Sequence, residues 1–231
     1  MQMALEHAPT RIRKIGVSSS AKSKLGKIPT NTRLVEMESE ELDEFVDEGV
    51  RHGGVVAWVQ KPNAPSLKDL AEHARERRGP ILVLDGVTDP RNLGAILRNA
   101  LWFDVPALVV PKRNTAQLTS AAVKASSGAA CIVPIVQVPN LARALDALKE
   151  ADIWIYAAAK KEGSSSFSKA PLNHPAALVM GDEGRGIRPN VANRADVHIH
   201  IPGDSRPEFD SLNVSVAAGI LLSAFYELSA D

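Results

Sequence analysis

The sequence predicts an α/β protein, a mostly parallel sheet with helices on both faces, preceded by a smaller α/β unit. Three observations carry this. From Pro80 onward, short apolar runs alternate with longer amphipathic stretches, the order that βαβ units impose. The first of those runs, Ile81-Leu82-Val83-Leu84, contains no polar residue, as a strand covered on both faces requires. Lys61-Pro62-Asn63-Ala64-Pro65 sets two prolines in five residues, a stiff, extended connector. The expected division is therefore a small α/β unit over 1–60, a linker and helix over 61–79, and the main domain over 80–231.

In the first unit, strands are expected at 13–17, 33–37 and 55–59. Residues 18–32 are rich in Lys, Ser and Gly and read as loop or frayed helix. Ser39 is expected to cap a helix that runs to about residue 48 and stops at Gly49, because Glu40 and Glu41 give it an acidic first turn. A unit this short buries little apolar surface and is marginal alone. After the connector, Ser66 caps a helix over 67–78 whose Leu67, Leu70, Ala71 and Ala74 share one face. The main domain then reads as strand 81–84, helix 92–103, strand 107–110, helix 115–127 ending at Gly128, and strand 132–138. It continues with helix 140–151, strand 153–158, a Ser-rich loop through 168, strand 176–180, and a short helix after Gly186. Strand 197–201 and helix 211–228 close it, and no internal repeat is visible.

Composition narrows the function classes. The 231 residues are 45% hydrophobic and 23% charged, ordinary for a globular protein. No apolar run approaches the roughly 18 residues of a membrane-spanning helix, and residues 1–14 lack a signal-peptide core. The single cysteine, Cys131, excludes an internal disulfide and fits a reducing cytoplasm. Flanked by Ala130 and Ile132, it reads as a core thiol. Net charge is zero, yet residues 1–35 hold seven Lys and Arg against Glu6 alone. Such an end either contacts phosphates or forms a solvated leader.

Three Gly-, Pro- and Asn-marked segments follow strand ends, where parallel α/β sheets bind ligands. The first runs from Asp85 to Ala100. There Arg91, Gly94 or Ala95, and Arg98 fall on one helical face. A glycine inside a helix costs about 1 kcal/mol relative to alanine, so Gly94 implies a close neighbour. Arg98, on an otherwise apolar helix, needs an anionic partner, and Asp85, Asp89 and Asp104 are the structural candidates. The second is Met180-Gly181-Asp182-Glu183-Gly184-Arg185-Gly186-Ile187. It has neither the Walker nor the dinucleotide glycine spacing, and its two acids would repel a phosphate. Its glycines let backbone approach a neutral or cationic ligand. The third is the loop from Ile201 to Asn213, where Ser211 is expected to cap the last helix and Asn213 sits in its first turn, among free N–H groups. His198 and His200 share a strand face but no third metal ligand accompanies them, so no metal is expected. Aromatic residues make up only 4%, and no base-stacking platform is visible.

In this order the three segments resemble the three motifs of the SpoU/TrmH family of SPOUT-class RNA ribose 2′-O-methyltransferases. Residues 85–100 look like motif one, 179–187 like motif two and 201–222 like motif three. His52-Gly53-Gly54-Val55-Val56-Ala57 is similar to the end of the small RNA-binding domain in the branch that methylates a guanosine ribose of large-subunit ribosomal RNA. The resemblance implies a SPOUT-like C-terminal trefoil knot, S-adenosyl-L-methionine as cofactor, a homodimer and an RNA substrate. Ribosomal RNA is favoured over tRNA because residues 1–60 are present. By motif matching, the cofactor positions fall on Met180, Gly181, Ile201 and Leu212. The catalytic and substrate-side positions fall on Arg98, Asn92, Glu183, Ser211 and Asn213. Arginine stays protonated, so Arg98 is expected to stabilise the developing alkoxide and grip a phosphate, with Glu183 positioning Arg98 or the loop. The rivals are a tRNA ribose methyltransferase and a non-catalytic RNA-binding protein on a decayed methyltransferase fold. The segment Gly203 to Asp210 departs from the family pattern in being longer and more charged.

Overall fold

The computed structural model describes residues 2–204 and 211–228, so residues 205–210, most of the departing loop, lie outside it. Two sheets organise the chain. The smaller has β1 (Ile12–Val17) at its centre, β2 (Arg33–Glu36) parallel on one side and β3 (Val55–Val59) antiparallel on the other. Two elements precede β1 that the sequence did not announce: helix α1 (Gln2–His7) and a 3-10 turn, Pro9–Arg11. Ala4 of α1 joins Ile12 and Ile15 in the small core. The basic end is thus built into the fold, with β1 as the middle strand. Lys22 pairs with Glu36 at 2.8 Å, and the Lys14 ammonium lies 4.3 Å over the Trp58 ring.

Helix α2 (Ser39–Asp43) is shorter than its sequence suggests. Its cap is Glu38 rather than Ser39, and the Glu38 backbone N–H donates to the Glu41 carboxylate at 2.9 Å. Gly49, Gly53 and Gly54 all take positive φ, so the chain returns to β3 through turns.

The larger sheet holds β4 (Ile81–Asp85), β5 (Leu108–Pro111), β6 (Ile135–Val138), β7 (Trp154–Ala158), β8 (Ser165–Ser166), β9 (Ala176–Gly181) and β10 (Val197–His200). Their order is β6-β5-β4-β9-β7-β10-β8, with parallel pairing throughout. Strand β4 shows why its sequence is wholly apolar. Leu82 and Leu84 enter one core, Ile81 and Val83 the other, and all four are essentially inaccessible to water. Helices α3 (Leu67–Glu76), α6 (Leu141–Glu150) and α7 (Pro189–Ala192) pack on the Ile81 side. Helices α4 (Pro90–Trp102) and α8 (Val214–Leu228) pack on the Leu82 side. Strand β9 is formed after β7 and slots between β7 and β4. Among the described residues no helix is long and apolar enough to cross a membrane.

Local chemistry moved several boundaries. Helix α4 starts at Pro90, earlier than residue 92, because Asp89 caps it and proline suits the first helical position. Helix α5 (Ser120–Ala125) begins late because Thr119 accepts from the Ala122 N–H. It ends early because Ser127 and Gly128 both turn to positive φ. Pro134 shortens the next strand, since it has no N–H for a ladder. Cys131 lies half-buried in a 3-10 turn, Ala129–Cys131, packed against the small core rather than deep in the large one. Its thiol pKa is raised by desolvation, which keeps it protonated. Residues 211–213 are not helical. Asn213 caps α8, and Ser211 does not: the Asn213 Oδ1 accepts from the Ser215 N–H at 3.0 Å and the Ser215 hydroxyl at 2.6 Å.

Candidate functional site

Beyond the carboxyl ends of β7, β9 and β10 lies a cleft of about 480 Å³. Met180, Gly181, Ile201 and Leu212 all line it, as do Glu183 and Ser211. Gly181 sits there for a steric reason. A Cβ on it would stand 2.2 Å from the Gly186 carbonyl carbon, because residues 182 and 186 close a tight loop with reciprocal backbone hydrogen bonds. The Asp182 carboxylate is turned inward and accepts from the Gly184 and Arg185 N–H groups at 3.0 and 2.9 Å. That loop hands Glu183 to the start of α8.

Glu183 is the hub of a polar cluster drawn from three elements. Its Oε1 accepts from the Asn92 amide at 3.0 Å, the Asn213 amide at 2.7 Å and the Val214 backbone N–H at 3.0 Å. The Asn213 amide also donates to the Asn92 Oδ1 at 3.0 Å. The carboxylate thus sits on the positive end of a 15-residue helix, where charge and free N–H groups both favour it. Asn213 spends both amide hydrogens inside the cluster and its oxygen on the cap. Every group is fixed by the others.

Arg98 stands apart. It does not line the cleft. It lines a shallow depression of about 450 Å³ between α4 and α8 with Ala95, Asn99, Ser215 and Val216. None of the three expected acids pairs with it: Asp85 is taken by Arg188, Asp104 by Arg77, and Asp89 caps α4. Nor does Glu183 hold it. Arg98 is exposed with no ion pair among the described residues. Gly94, on the same helix, meets the close neighbour its sequence implied, since a Cβ there would lie 2.4 Å from the Ala122 carbonyl oxygen of α5.

Several groups at this end of the sheet were not legible in the sequence. Arg188 binds the buried Asp85 carboxylate through Nε and Nη2 at 2.8 and 2.7 Å, and its backbone N–H donates to the other oxygen at 2.9 Å. Only the strand-end position of Asp85 hinted at this pair. His200 lines the cleft and shares a 3.0 Å hydrogen bond with Ser164. His198, on the same strand face, does not line the cleft; its Nδ1 is buried without a partner among the described residues, and burial followed by the nearby Lys161 charge lowers its pKa. No cluster of three potential metal ligands occurs among the described residues.

A parallel α/β sheet with its ligand cleft at the strand ends, walled by a polar helix start, defines the class of open α/β proteins that work at their carboxyl edge. The chain belongs to the SpoU rRNA methylase family, whose model matches residues 79–223. It is 43% identical over 182 residues to the 23S rRNA (guanosine-2′-O-)-methyltransferase RlmB of Yersinia pestis, covering 78% of this chain and 72% of that protein. It is 35% identical over 228 residues to RlmB of Escherichia coli K12, covering 96% and 93%. The SpoU methyltransferase AviRb of Streptomyces viridochromogenes, solved with AdoMet, shares the fold at a TM-score of 0.79 and 20% identity, over 100% of this chain and 87% of that one.

Proposed function

We propose that this chain is an S-adenosylmethionine-dependent methyltransferase acting on a ribose 2′-hydroxyl in RNA, with a guanosine of large-subunit ribosomal RNA as its substrate. The observation that carries this is the extent of the likeness to RlmB, which runs through the small sheet as well as the large one. A tRNA-directed reading leaves that small unit without a role. The reading assigns residues 1–60 to RNA binding, 61–79 to a linker and helix, and 80–231 to methyl transfer.

The cleft fits S-adenosylmethionine. Its volume is that of a typical cofactor pocket, its lining mixes Met180, Ile201 and Leu212 with backbone, and Asp204 suits a cationic ligand. Bound there, the cofactor supplies a methyl group activated on a sulfonium. Gly181, Ile201 and Leu212 would hold it by backbone approach and apolar contact. The cluster of Asn92, Glu183 and Asn213 would fix the wall against which the ribose is set, so that the 2′-oxygen and the methyl carbon meet in line. Ser211, at the cleft mouth, completes that wall. The hydroxyl proton would pass to solvent at the open cleft beside Ser211. Arg98, with no acidic partner among the described residues, would stabilise the developing charge on the 2′-oxygen and the neighbouring phosphate.

The insertion of β9 between β4 and β7 supports a trefoil knot in the C-terminal part. Exposed apolar side chains on α4 and α8, Trp102 at 80% and Val216 at 51%, support a homodimer across that face. Substrate class and lone thiol together support a cytoplasmic location.

The test is methyl transfer to a ribosomal RNA fragment followed by mapping of the modified nucleotide. Arg98→Ala should lose at least about a hundredfold in rate, as removal of one transition-state donor does. Its affinity for S-adenosylmethionine, read by calorimetry, should stay within twofold. Wild-type rate in Arg98→Ala would remove the assigned role, and a chain that binds no cofactor would favour the decayed-fold reading.

A further inference from the structure

A second pocket, about 450 Å³, opens on the other side of the 182–186 loop. It lies beyond β4, β5 and β9, lined by Gly86 and Thr88 after β4, Asn114 after β5, and Asp182, Arg185 and Arg188 after β9. Here the connections of two neighbouring strands diverge along the sheet, since the chain leaves β4 toward β5 on one side and leaves β9 past β7 to β10 on the other. Open α/β sheets bind ligands at such switch points.

Its charges show what it takes. Both acids are already compensated. Asp85 is gripped by Arg188 through two guanidinium nitrogens and one backbone N–H. Asp182 accepts two backbone N–H groups from within its own loop. Of the two lining cations, Arg188 is matched by Asp85 and Arg185 is left over. Arg185 has no acidic partner among the described residues. Neither do Lys112 and Arg113, both exposed, which stand between the lining residues Pro111 and Asn114. Thr88 and Asn114 add neutral hydrogen-bonding groups. With the Asp85 charge matched by Arg188 and the Asp182 carboxylate turned to its own loop, Arg185 in the lining and Lys112 and Arg113 beside it in sequence suit an anion.

We propose that this second pocket is a phosphate subsite that holds a phosphodiester of the substrate RNA beside the methylated nucleotide. The assignment rests on the RNA methyltransferase reading above. Asp182, Arg185 and Gly186 line both cavities, so the loop between them is a thin partition. A strand lying across it would present its ribose to the cofactor cleft and a neighbouring phosphate to Arg185, Lys112 and Arg113. By sequence alone, the two acids of the second glycine-rich segment would repel a phosphate. The structure removes that objection on this face, since Asp182 is turned to its own backbone and Glu183 to α8.

The test uses the full chain with Lys112→Glu and Arg113→Glu combined, two positions absent from the cofactor cleft. RNA affinity for a fragment that the wild type methylates is read by anisotropy across a salt series, with cofactor affinity by calorimetry. A control carries Lys68→Glu and Arg143→Glu, which make the same change in net charge on exposed positions of α3 and α6. The expected result is at least a tenfold loss of RNA affinity and a salt slope shallower by about 0.7–0.9 per phosphate contact removed. Cofactor affinity should stay within twofold, and the control should match wild type. Unchanged RNA affinity and slope, with methylation intact, would overturn the subsite and leave the enzymatic reading standing. An equal loss in the control would overturn it too, as a general charge effect. Stoichiometric binding of inorganic phosphate that survives without RNA and vanishes in the double variant would assign the pocket to a free anion instead. A wild-type chain that methylates no RNA would take down both readings together.

Discussion

Glu183 shows how one side chain can hold three elements in register. A single carboxylate oxygen takes hydrogen bonds from α4 through Asn92, from the cap through Asn213, and from the α8 backbone at Val214. Glu183→Gln keeps an acceptor in place but removes the charge at the helix end, which is worth about 0.3–1 kcal/mol at an exposed site. We expect a stability loss in that range by urea denaturation, with a measurable remaining rate of methyl transfer. Glu183→Ala frees both asparagines and leaves the Val214 N–H without its partner. Its rate should fall well below that of the glutamine variant at unchanged cofactor affinity, and equal rates in the two would refute the positioning role. The residue types of this cluster were readable, because polar side chains after strand ends and before a helix have few structural uses. Their mutual bonding was not, since 91 residues separate Asn92 from Glu183 and 30 more lie before Asn213. The same distance hid the Asp85–Arg188 pair and left Arg98 matched on paper with acids that fold elsewhere.

At the scale of elements, β4, β5 and β9 were legible because their runs are apolar on both faces, a signal that needs no partner to interpret, whereas β8, two serines inside an expected Ser-rich loop, was not. Helix ends were less so. Capping is decided by which of several candidate oxygens reaches an N–H, and Glu38 and Asn213 won over Ser39 and Ser211 for reasons only the backbone path shows. The α4–α5 contact was predictable in kind from Gly94 but not in its partner. Gly94→Ala puts a methyl 2.4 Å from a backbone carbonyl oxygen that cannot rotate away. The helix propensity gain of about 1 kcal/mol is then outweighed by overpacking of about 1–3 kcal/mol. A net drop in the urea midpoint is the expected outcome, and a rise would show that α5 shifts freely.

For the whole molecule, the small sheet is tied to the large one through one short stretch. Asp47 accepts from the Ser120 hydroxyl and the Ala121 N–H, both at 2.7 Å, and its pKa is lowered chiefly by the serine contact. Lys124 donates to the Arg51 carbonyl, and Met3 lies on Gly128. The basic end is therefore no detachable arm, and removing residues 1–35 would take β1 and β2 with it. The exposed face of α4 and α8 is a separate matter. Trp102→Glu with Val216→Glu should convert a dimer to a monomer in light scattering while leaving the circular dichroism spectrum unchanged. A dimer that survives would place the partner elsewhere. The position of β9 has a consequence for synthesis. A ribosome releases this chain from residue 1 forward, yet the strand that joins β4 to β7 begins only at Ala176. Until then the two halves of the large sheet have no shared hydrogen bonds. The β4 edge, Ile81-Leu82-Val83-Leu84, is wholly apolar and stays unpaired on that side from residue 85 until residue 176 has been made, so the nascent chain needs shielding over that interval.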